Sequence, residues 1–466
     1  MYASKFNLFF DFNDKCMLAM NPLSGSVDLI DKDVLVVLDR IGSNKSVNAS
    51  KDLLNTLIRR GYLFPSIEDE EECLEKLHEK YIRKMASQPN LIIICPTYAC
   101  NLKCVYCFES ETQKTPGIMT KAVMQKAFET IEILNQGKKE LPKIILFGGE
   151  PLLRRKRQIQ ILEDILRECK DRNYSVKIIT NGVELEYFCD LIGHYDGGDL
   201  QVTLDGPKKI HDKRRIFADG SGSFDKIVRG IDLALTHDFH IALRVNVDAH
   251  NINFLPELGN FIIEKRWFET KKLSPYLAPV QSVGCKDYGC WTPFDASLTR
   301  ILQLYKESEA MRIFNSFDFT EMTLVKYFVE TGKLLPPRFS HCGANNSMYT
   351  LDLYGDINVC DRHCGIREYA IGRFYPNLQI NDESLKKWRE RSIFTVLKCR
   401  NCNVSLLCGG GCASAALYEN KSLDDPPCPP IEKMLQLALK HYMPSLEAIE
   451  KNRRMGRSRI EIAKNL

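Results

Sequence analysis

Residues 91–110 read LIIICPTYACNLKCVYCFES. The opening LIIIC is an unbroken apolar run of strand length, the pattern of a strand buried on both faces of a parallel sheet. A loop follows at once, carrying Cys100, Cys104 and Cys107 in the spacing C-x3-C-x2-C. Three thiolates on one tight loop can hold three corners of an iron–sulfur cubane, whereas a closed zinc site or a fully ligated cluster needs a fourth donor nearby. A cluster held this way keeps one iron open to a small molecule. The competing reading is a zinc knuckle that borrows Cys95. The position of the loop, directly after a buried strand where α/β folds bind their ligands, favours the cluster.

Downstream the same alternation recurs. KIILF (143–147), SVKIIT (175–180), DLQVTL (199–204), HIALRVNV (240–247) and KLSPYLAP (272–279) are further strand-length runs. Between them, 121–134, 158–169, 224–235 and 254–265 carry helical periodicity. Six strands separated by helices predict an α/β fold over 90–310, a partial (β/α)6 barrel or an open sheet, with its chemistry at the C-terminal ends of the strands.

Upstream, three short β-favouring runs (6–10, 16–20, 26–30) are divided by Asn13-Asp14 and Ser24-Gly25, both turn chemistry. Asp31 can cap a helix through Ile41, and Ser50 a second one ending at Gly61. Three strands and two helices suit a separate winged-helix-like module over 1–65. The charged run at 66–89, with its sparse apolar stripe, predicts an exposed connecting helix. Residues 311–430 bridge to a stretch poor in apolar periodicity and rich in Cys, Gly and Asn, which predicts a core dependent on metal. A terminal helix and a basic tail, KNRRMGRSR, fill 431–466.

Composition narrows the classes. With 44% hydrophobic and 27% charged residues the chain is neither disordered nor fibrous. No run of eighteen apolar residues and no leader-like N-terminus is present, so the expectation is a cytoplasmic protein with no membrane partner. Lys+Arg 64 against Asp+Glu 60, without a basic stripe interleaved with aromatics, predicts no nucleic-acid partner. The anomaly is 18 cysteines without an export signal, which reads as metal ligation rather than disulfide stapling. Seven of them form a second series: Cys342, Cys360, then Cys399, Cys402, Cys408 and Cys412 spaced C-x2-C-x5-C-x3-C, and Cys428. Cys16, Cys73, Cys169 and Cys189 sit on strand or helix patterns and read as ordinary thiols.

The first loop, with Tyr106 before its last cysteine, resembles the radical S-adenosylmethionine (SAM) superfamily. The resemblance implies that the open iron chelates SAM, that one electron breaks its S–C5′ bond, and that a 5′-deoxyadenosyl radical then abstracts hydrogen. It also implies cofactor contacts from Tyr106 and Phe108, and from Gly148, Gly149 and Glu150 toward the SAM amino group. Asn181, Thr203, Asp205 and Arg215, the last as a carboxylate clamp, complete the implied set, with His211 and Asp212 continuing the pattern. The second series is similar to the SPASM extension of such enzymes, which carries two auxiliary clusters and so makes three [4Fe-4S] clusters in all. Residue by residue, Cys342, Cys360 and Cys412 would hold auxiliary cluster I, and Cys399, Cys402, Cys408 and Cys428 cluster II. A further cluster I ligand found in some members is missing from PPRFSH (336–341), leaving Cys285, Cys290, Cys364 or a substrate thiolate for that place. Asp361 stands where sulfatase-maturing members place a catalytic base, or it caps a turn in the cluster loop.

The N-terminal layout resembles the leader-recognition elements of ribosomal-peptide maturases, which add the leader as an extra strand. Together the resemblances imply a maturase that installs a side-chain crosslink, foremost a cysteine thioether, in a precursor peptide. Its reductant would be flavodoxin or ferredoxin. Oxidation of a Ser or Cys side chain in a protein substrate is the alternative enzyme. A non-catalytic iron–sulfur carrier or zinc scaffold is the alternative class.

Overall fold

The computed structural model of the chain describes residues 1–110, 117–281 and 292–454, with side chains through residue 447. The chain opens with β1 (Tyr2–Ala3), β2 (Leu8–Asp11), β3 (Cys16–Asn21), β4 (Ser26–Asp31), α1 (Lys32–Gly42), α2 (Lys51–Arg59) and β5 (Leu63–Phe64). β2, β3 and β4 form an antiparallel sheet in that order, and β1 pairs with β5. Ser50 caps α2, its Oγ accepting the Leu53 N–H at 3.2 Å. Asp31 precedes α1 in extended backbone without a side-chain cap.

This unit is fastened on rather than separate, and period-two alternation is the reason. Phe9, Met17 and Ala19 pack with Leu38, Leu57 and Tyr62 under the unit's own helices, while Leu8, Phe10, Leu18 and Met20 belong to the main core. The connecting helix α3 (Ile67–Ser87) is likewise not an exposed link. Its stripe Leu74, Leu77 and Tyr81 packs between Phe6 and Leu23 of the N-terminal unit and Phe339, Ile393, Val396 and Leu406 of the cysteine-rich region. Three apolar positions at i, i+3 and i+7 suffice, and a buried leucine such as Leu74 contributes about 1.5–3 kcal/mol.

The six long runs are strands, nearly to the residue. β6 (Leu91–Cys95) leads to β7 (Leu102–Cys104), α4 (Lys121–Leu134), β8 (Lys143–Leu146), α5 (Lys156–Asp171), β9 (Ser175–Thr180) and α6 (Leu185–His194). Then come β10 (Asp199–Thr203), α7 (Lys208–Arg214), β11 (Arg215–Phe217), α8 (Phe224–Thr236), β12 (His240–Val247), α9 (Leu255–Glu264), β13 (Leu273–Pro279), α10 (Phe294–Glu307), β14 (Ser316–Phe317) and α11 (Thr320–Thr331). The cysteine-rich region contributes β15 (Met348–Asp352), β16 (Asp356–Asn358), β17 (Gly372–Arg373), β18 (Gln379–Ile380), α12 (Asp382–Arg389), α13 (Ser405–Cys408) and α14 (Ala413–Asn420). α15 (Ile431–Arg454) closes the described chain and packs on α10 and α11.

One sheet runs β14-β13-β12-β10-β9-β8-β6-β15-β16-β17-β18, with pairing from β14 through β15 parallel throughout. The parallel sheet is thus two strands wider than six and passes the expected boundary at 310, because two-residue β14 pairs with β13. On its other side β15 pairs with β6 in a register that sets Asp352 beside Cys95. That pairing delivers the segment after β15, with Cys360 and Asp361, to the rim where the first cysteine loop begins. Among the described residues no helix is long and apolar enough to cross a membrane.

Candidate active site

At the C-terminal ends of the parallel strands lies a cavity of about 300 Å³. Cys100, Cys104, Cys107, Tyr106, Phe108, Gly149, Asn181, Thr203, Arg215 and Asp361, all singled out from the sequence, line it. The cysteine loop is clamped from several sides. β7 pairs antiparallel with β11, setting Cys104 opposite Arg215. Val105 N–H donates to Arg214 O at 3.0 Å, and Asn181 Nδ2 donates to Asn101 Oδ1 at 2.7 Å. Gly149 has φ +50°, and a Cβ there would stand 2.4 Å from Ala99 O, so this turn requires glycine to approach the loop. Burial pushes the Cys100 thiol up to about 12 and raises those of Cys104 and Cys107; Cys104 and Cys100 raise Cys107 further.

Three expected contacts stand elsewhere. Gly148, Glu150 and Asp205 do not line the cavity. Glu150 is buried and saturated, accepting Leu152 N–H at 2.8 Å, Thr180 Oγ1–H at 2.6 Å and Asn181 N–H at 2.6 Å. It ties the end of β8 to the end of β9, and burial raises its carboxyl to about 7. Asp205 is also fully buried; it accepts the Tyr106 hydroxyl and, at 2.9 Å, Asn246 N–H. Burial would raise its pKa, but Arg214 and Arg215 outweigh burial and hold it below the usual carboxylate range. His211 supports the same turn: its Nδ1 accepts Asp205 N–H at 3.1 Å, so Nε2 carries the proton toward Ser223 Oγ at 3.0 Å. Burial lowers the pKa of His211 to about 3, which keeps that neutral tautomer. Asp212 accepts Phe224 N–H at 2.8 Å at the start of α8.

Other lining residues escaped the sequence reading. Gln201, Arg244 and Asn246 line the cavity from β10 and β12, and Glu109 and Arg362 add a carboxyl group and a cation. The available signal was alternation: in HIALRVNV, Arg244 and Asn246 are two apart between buried Leu243, Val245 and Val247. Arg244 Nε donates to Asn246 Oδ1 at 2.8 Å. Arg215 Nη1 donates to Tyr106 OH at 2.8 Å, while its buried Nε has no partner among the described residues. Phe108 stacks on Phe147 with centroids 6.1 Å apart, and Arg362 lies over Phe108. Burial, with Asp361 nearby, raises the Glu109 carboxyl to about 7.

The second series separates into two groups. The thiols of Cys342, Cys360 and Cys412, each from a different turn or helix start, are close enough that Cys342 and Cys412 raise Cys360 after burial and Asp361 have done so. Cys408, Cys402 and Cys428 act on Cys399 in the same way, again after burial. No three Cys, His, Asp or Glu among the described residues converge as ligands of a single ion. Thiols serving a cubane bind separate irons and stand farther apart than donors on one ion. Cys364 belongs to neither group: its Sγ lies 3.0 Å from Cys95 Sγ and 2.9 Å from Tyr98 OH. Cys285 and Cys290 lie outside the described residues. Cys169 and Cys189 are buried helix thiols, and Cys16 and Cys73 are half-buried.

Between the two groups runs Gly409-Gly410-Gly411, all at positive φ, joining Cys408 to Cys412. Buried Arg391 holds this turn, donating to Gly411 O at 2.9 Å, Gly410 O at 2.6 Å and Leu423 O at 2.5 Å. Arg391→Met should orphan these carbonyls at a cost of about 2–5 kcal/mol. If the two cysteine groups each hold a four-iron cluster, iron per chain should fall from about twelve toward about four, with the first loop still loaded. Full iron in that variant would show that Arg391 does not position the two cysteine groups.

Residues 94–252 match the radical SAM superfamily. The mycofactocin maturase MftC of Mycobacterium tuberculosis is 24% identical over 364 residues, covering 75% of this chain and 85% of MftC. A cysteine-type anaerobic sulfatase-maturating enzyme of Clostridium novyi is 25% identical over 333 residues, covering 67% of this chain and 84% of that enzyme. Among solved structures, Streptococcus suis SuiB bound to its precursor peptide SuiA superposes with a TM-score of 0.54 at 16% identity, covering 92% of this chain and 99% of SuiB.

Proposed function

The chain is a radical SAM enzyme, and from that premise we propose that it modifies a side chain in a ribosomally made precursor peptide, foremost by forming a cysteine thioether. The observation that carries the reading is the meeting, in one cavity, of three thiols from the first loop with Asp361 from the cysteine-rich region. Cys100, Cys104 and Cys107 would hold a [4Fe-4S] cluster beside SAM, which when bound supplies the 5′-deoxyadenosyl radical that abstracts a substrate hydrogen. The cavity fits these groups: the three thiols line it, and Arg215, which also lines it, is a buried cation whose Nε has no partner among the described residues, suited to an anionic group such as a carboxylate. Phe108 and Phe147 offer a flat apolar wall for a base, while Asn181, Thr203 and Gln201 supply hydrogen bonds. Cys342, Cys360 and Cys412 would hold one auxiliary cluster, with Cys285, Cys290 or a substrate thiol as further donor, and Cys399, Cys402, Cys408 and Cys428 the other.

Asp361 would take a proton from the substrate, and a cluster held by Cys342, Cys360 and Cys412 would supply the one-electron acceptor that the radical needs. Asp361→Asn should lower product at least about a hundredfold while 5′-deoxyadenosine release falls less than about threefold. Equal loss of both removes Asp361 from the role of base. Oxidation of a Ser or Cys side chain in a protein is the second reading, supported by the sulfatase-maturating relative and by Asp361. The mass of the modified substrate separates the two, since a crosslink within the peptide and an oxidised side chain change its fragmentation differently. We assign the N-terminal unit to the leader, which would add to β2 or β4, the two edges of its sheet. Because Leu8, Phe10, Leu18 and Met20 are part of the main core, hydrogen exchange at Ser26–Asp31 on adding the peptide tests this better than deletion.

A further inference from the structure

Three cavities lie in series. The cysteine cavity shares Pro279 and Gln281 with a second, of about 390 Å³, whose wall includes Cys408, Cys412 and Cys428. The second shares Asp318, Phe319 and Thr320 with a third, of about 600 Å³, between α3 and the segment from Phe317 to Phe339. The third plays no part in the chemistry derived above. Its lining is mostly apolar, with Leu77, Tyr81, Phe319, Leu324, Leu335 and Leu407, and Lys80 and Lys84 stand along its α3 side.

Continuity and charge say what it holds. α3 reaches the groove directly from the N-terminal unit, where buried Glu70 accepts Lys5 N–H at 3.2 Å. A chain held by that unit and modified in the cysteine cavity therefore has this groove beside its route. The second observation is electrostatic. Elsewhere α3 pairs its cations with acids four residues earlier, Lys76 with Glu72 at 2.5 Å and Arg83 with Glu79 at 3.4 Å. Lys80 instead follows Lys76 and precedes Lys84 at that spacing, and neither Lys80 nor Lys84 forms an ion pair among the described residues. Like charges four apart on a helix repel, so helix stability does not account for two lysines beside an apolar groove. Acidic groups on an occupant do.

We propose that this groove binds an amphipathic stretch of the substrate peptide, large apolar side chains on one face and Asp or Glu on the other, between the part gripped by the N-terminal unit and the residue modified. The proposal rests on the peptide-modifying reading and adds the chemistry by which the peptide is selected. Apolar side chains would fill the floor, and carboxylates would neutralise Lys80 and Lys84, where a basic peptide would add to the repulsion.

The test uses the full-length protein and two fluorescein-labelled peptides of about 14 residues, one of Leu, Ile, Asp and Glu in amphipathic order, the other with Lys in place of each acid. By anisotropy at low salt, the acidic peptide should bind at least about tenfold more tightly than the basic one. Lys80→Glu combined with Lys84→Glu should reverse that order, which also shows that the variant's groove is folded. Thr323→Trp, placed in the groove wall, should weaken the acidic peptide at least about fivefold. Equal binding of both peptides to the unaltered protein, or an unchanged order in the double variant, overturns the proposal. Anisotropy requires neither cluster nor SAM, so a protein that fails to release 5′-deoxyadenosine counts against the catalytic reading alone. Uncoupled SAM cleavage should persist in the double variant, and its loss there would overturn the assignment of the groove to peptide binding.

Discussion

Replacing Cys100, Cys104 and Cys107 together with Ala should abolish SAM cleavage and substrate modification while leaving about eight of about twelve iron atoms per chain. The three sulfurs line one cavity, whereas the auxiliary thiols come from turns and helix ends on either side of β15. The variant should still fold, because the loop is held by groups other than its sulfurs. β7 stays paired with β11, Val105 with Arg214, Asn101 with Asn181, and Glu150 N–H with Ala99 O at 2.9 Å. Iron and sulfide analysis after anaerobic reconstitution, beside chromatography of 5′-deoxyadenosine, gives the answer. Native protein holding only about four irons with tightly bound zinc would sink the three-cluster reading, and a variant that still cleaves SAM would remove the first loop from the chemistry.

The parts of this molecule that could be read from sequence are those where one physical pattern admits one outcome. LIIIC is apolar throughout, and only a strand covered on both faces buries such a run; it forms β6 to the residue, as the β-branched run SVKIIT forms β9. The cysteine loop was legible for a related reason, since its spacing and its place after β6 fix which rim it occupies. β15 was not legible. MYTLD lies in a stretch of weak apolar periodicity, and its pairing with β6 bridges more than 250 residues of chain, a contact that no local pattern encodes. That pairing is what brings Asp361 into the cavity.

Carboxylates show the same boundary. Glu150 and Asp205 follow strands at the rim, where a ligand contact and a buried anchor call for the same residue type. Only the neighbours decide: Glu150 meets three donors, one in the turn after β8 and two at the end of β9, and Asp205 meets Tyr106, Asn246 and two arginines. The stripe on α3 was visible, but its sparseness suggested solvent. Residues far apart in the chain, Phe6 and Phe339 among them, supply the rest of that core.

Asp248→Ala should destabilise the protein by about 3–5 kcal/mol, because it strands a buried cation. Arg214 is 1% exposed; its Nη1 donates to both Asp248 oxygens at 2.7 and 2.6 Å, and its Nη2 to Asn246 O at 3.1 Å. Its guanidinium also lies 4.9 Å from the centre of the Tyr106 ring, and its Nε is 3.6 Å from Asp205. Without Asp248, Asp205 becomes the main counter-charge to Arg214 while still serving Tyr106 and Asn246. Asp205 is held below the usual carboxylate range in the fold, so its stabilising contribution is present near neutrality and lost as pH falls through that lowered value. The variant should therefore melt at least about 6 °C lower near pH 7. Pairing Arg214→Met with Asp248→Leu separates stability from function, since an apolar pair often replaces a buried ion pair at little cost. The double variant should regain most of the melting temperature but not SAM binding, because Tyr106 would lose the cation stacked on its ring and, with it, the position from which it receives the Arg215 bond. Equilibrium binding of SAM to the reconstituted variants reads this directly. Recovery of both properties in the double variant would make the pair a packing element alone, and recovery of stability alone would place Arg214 in the positioning of Tyr106 and Arg215.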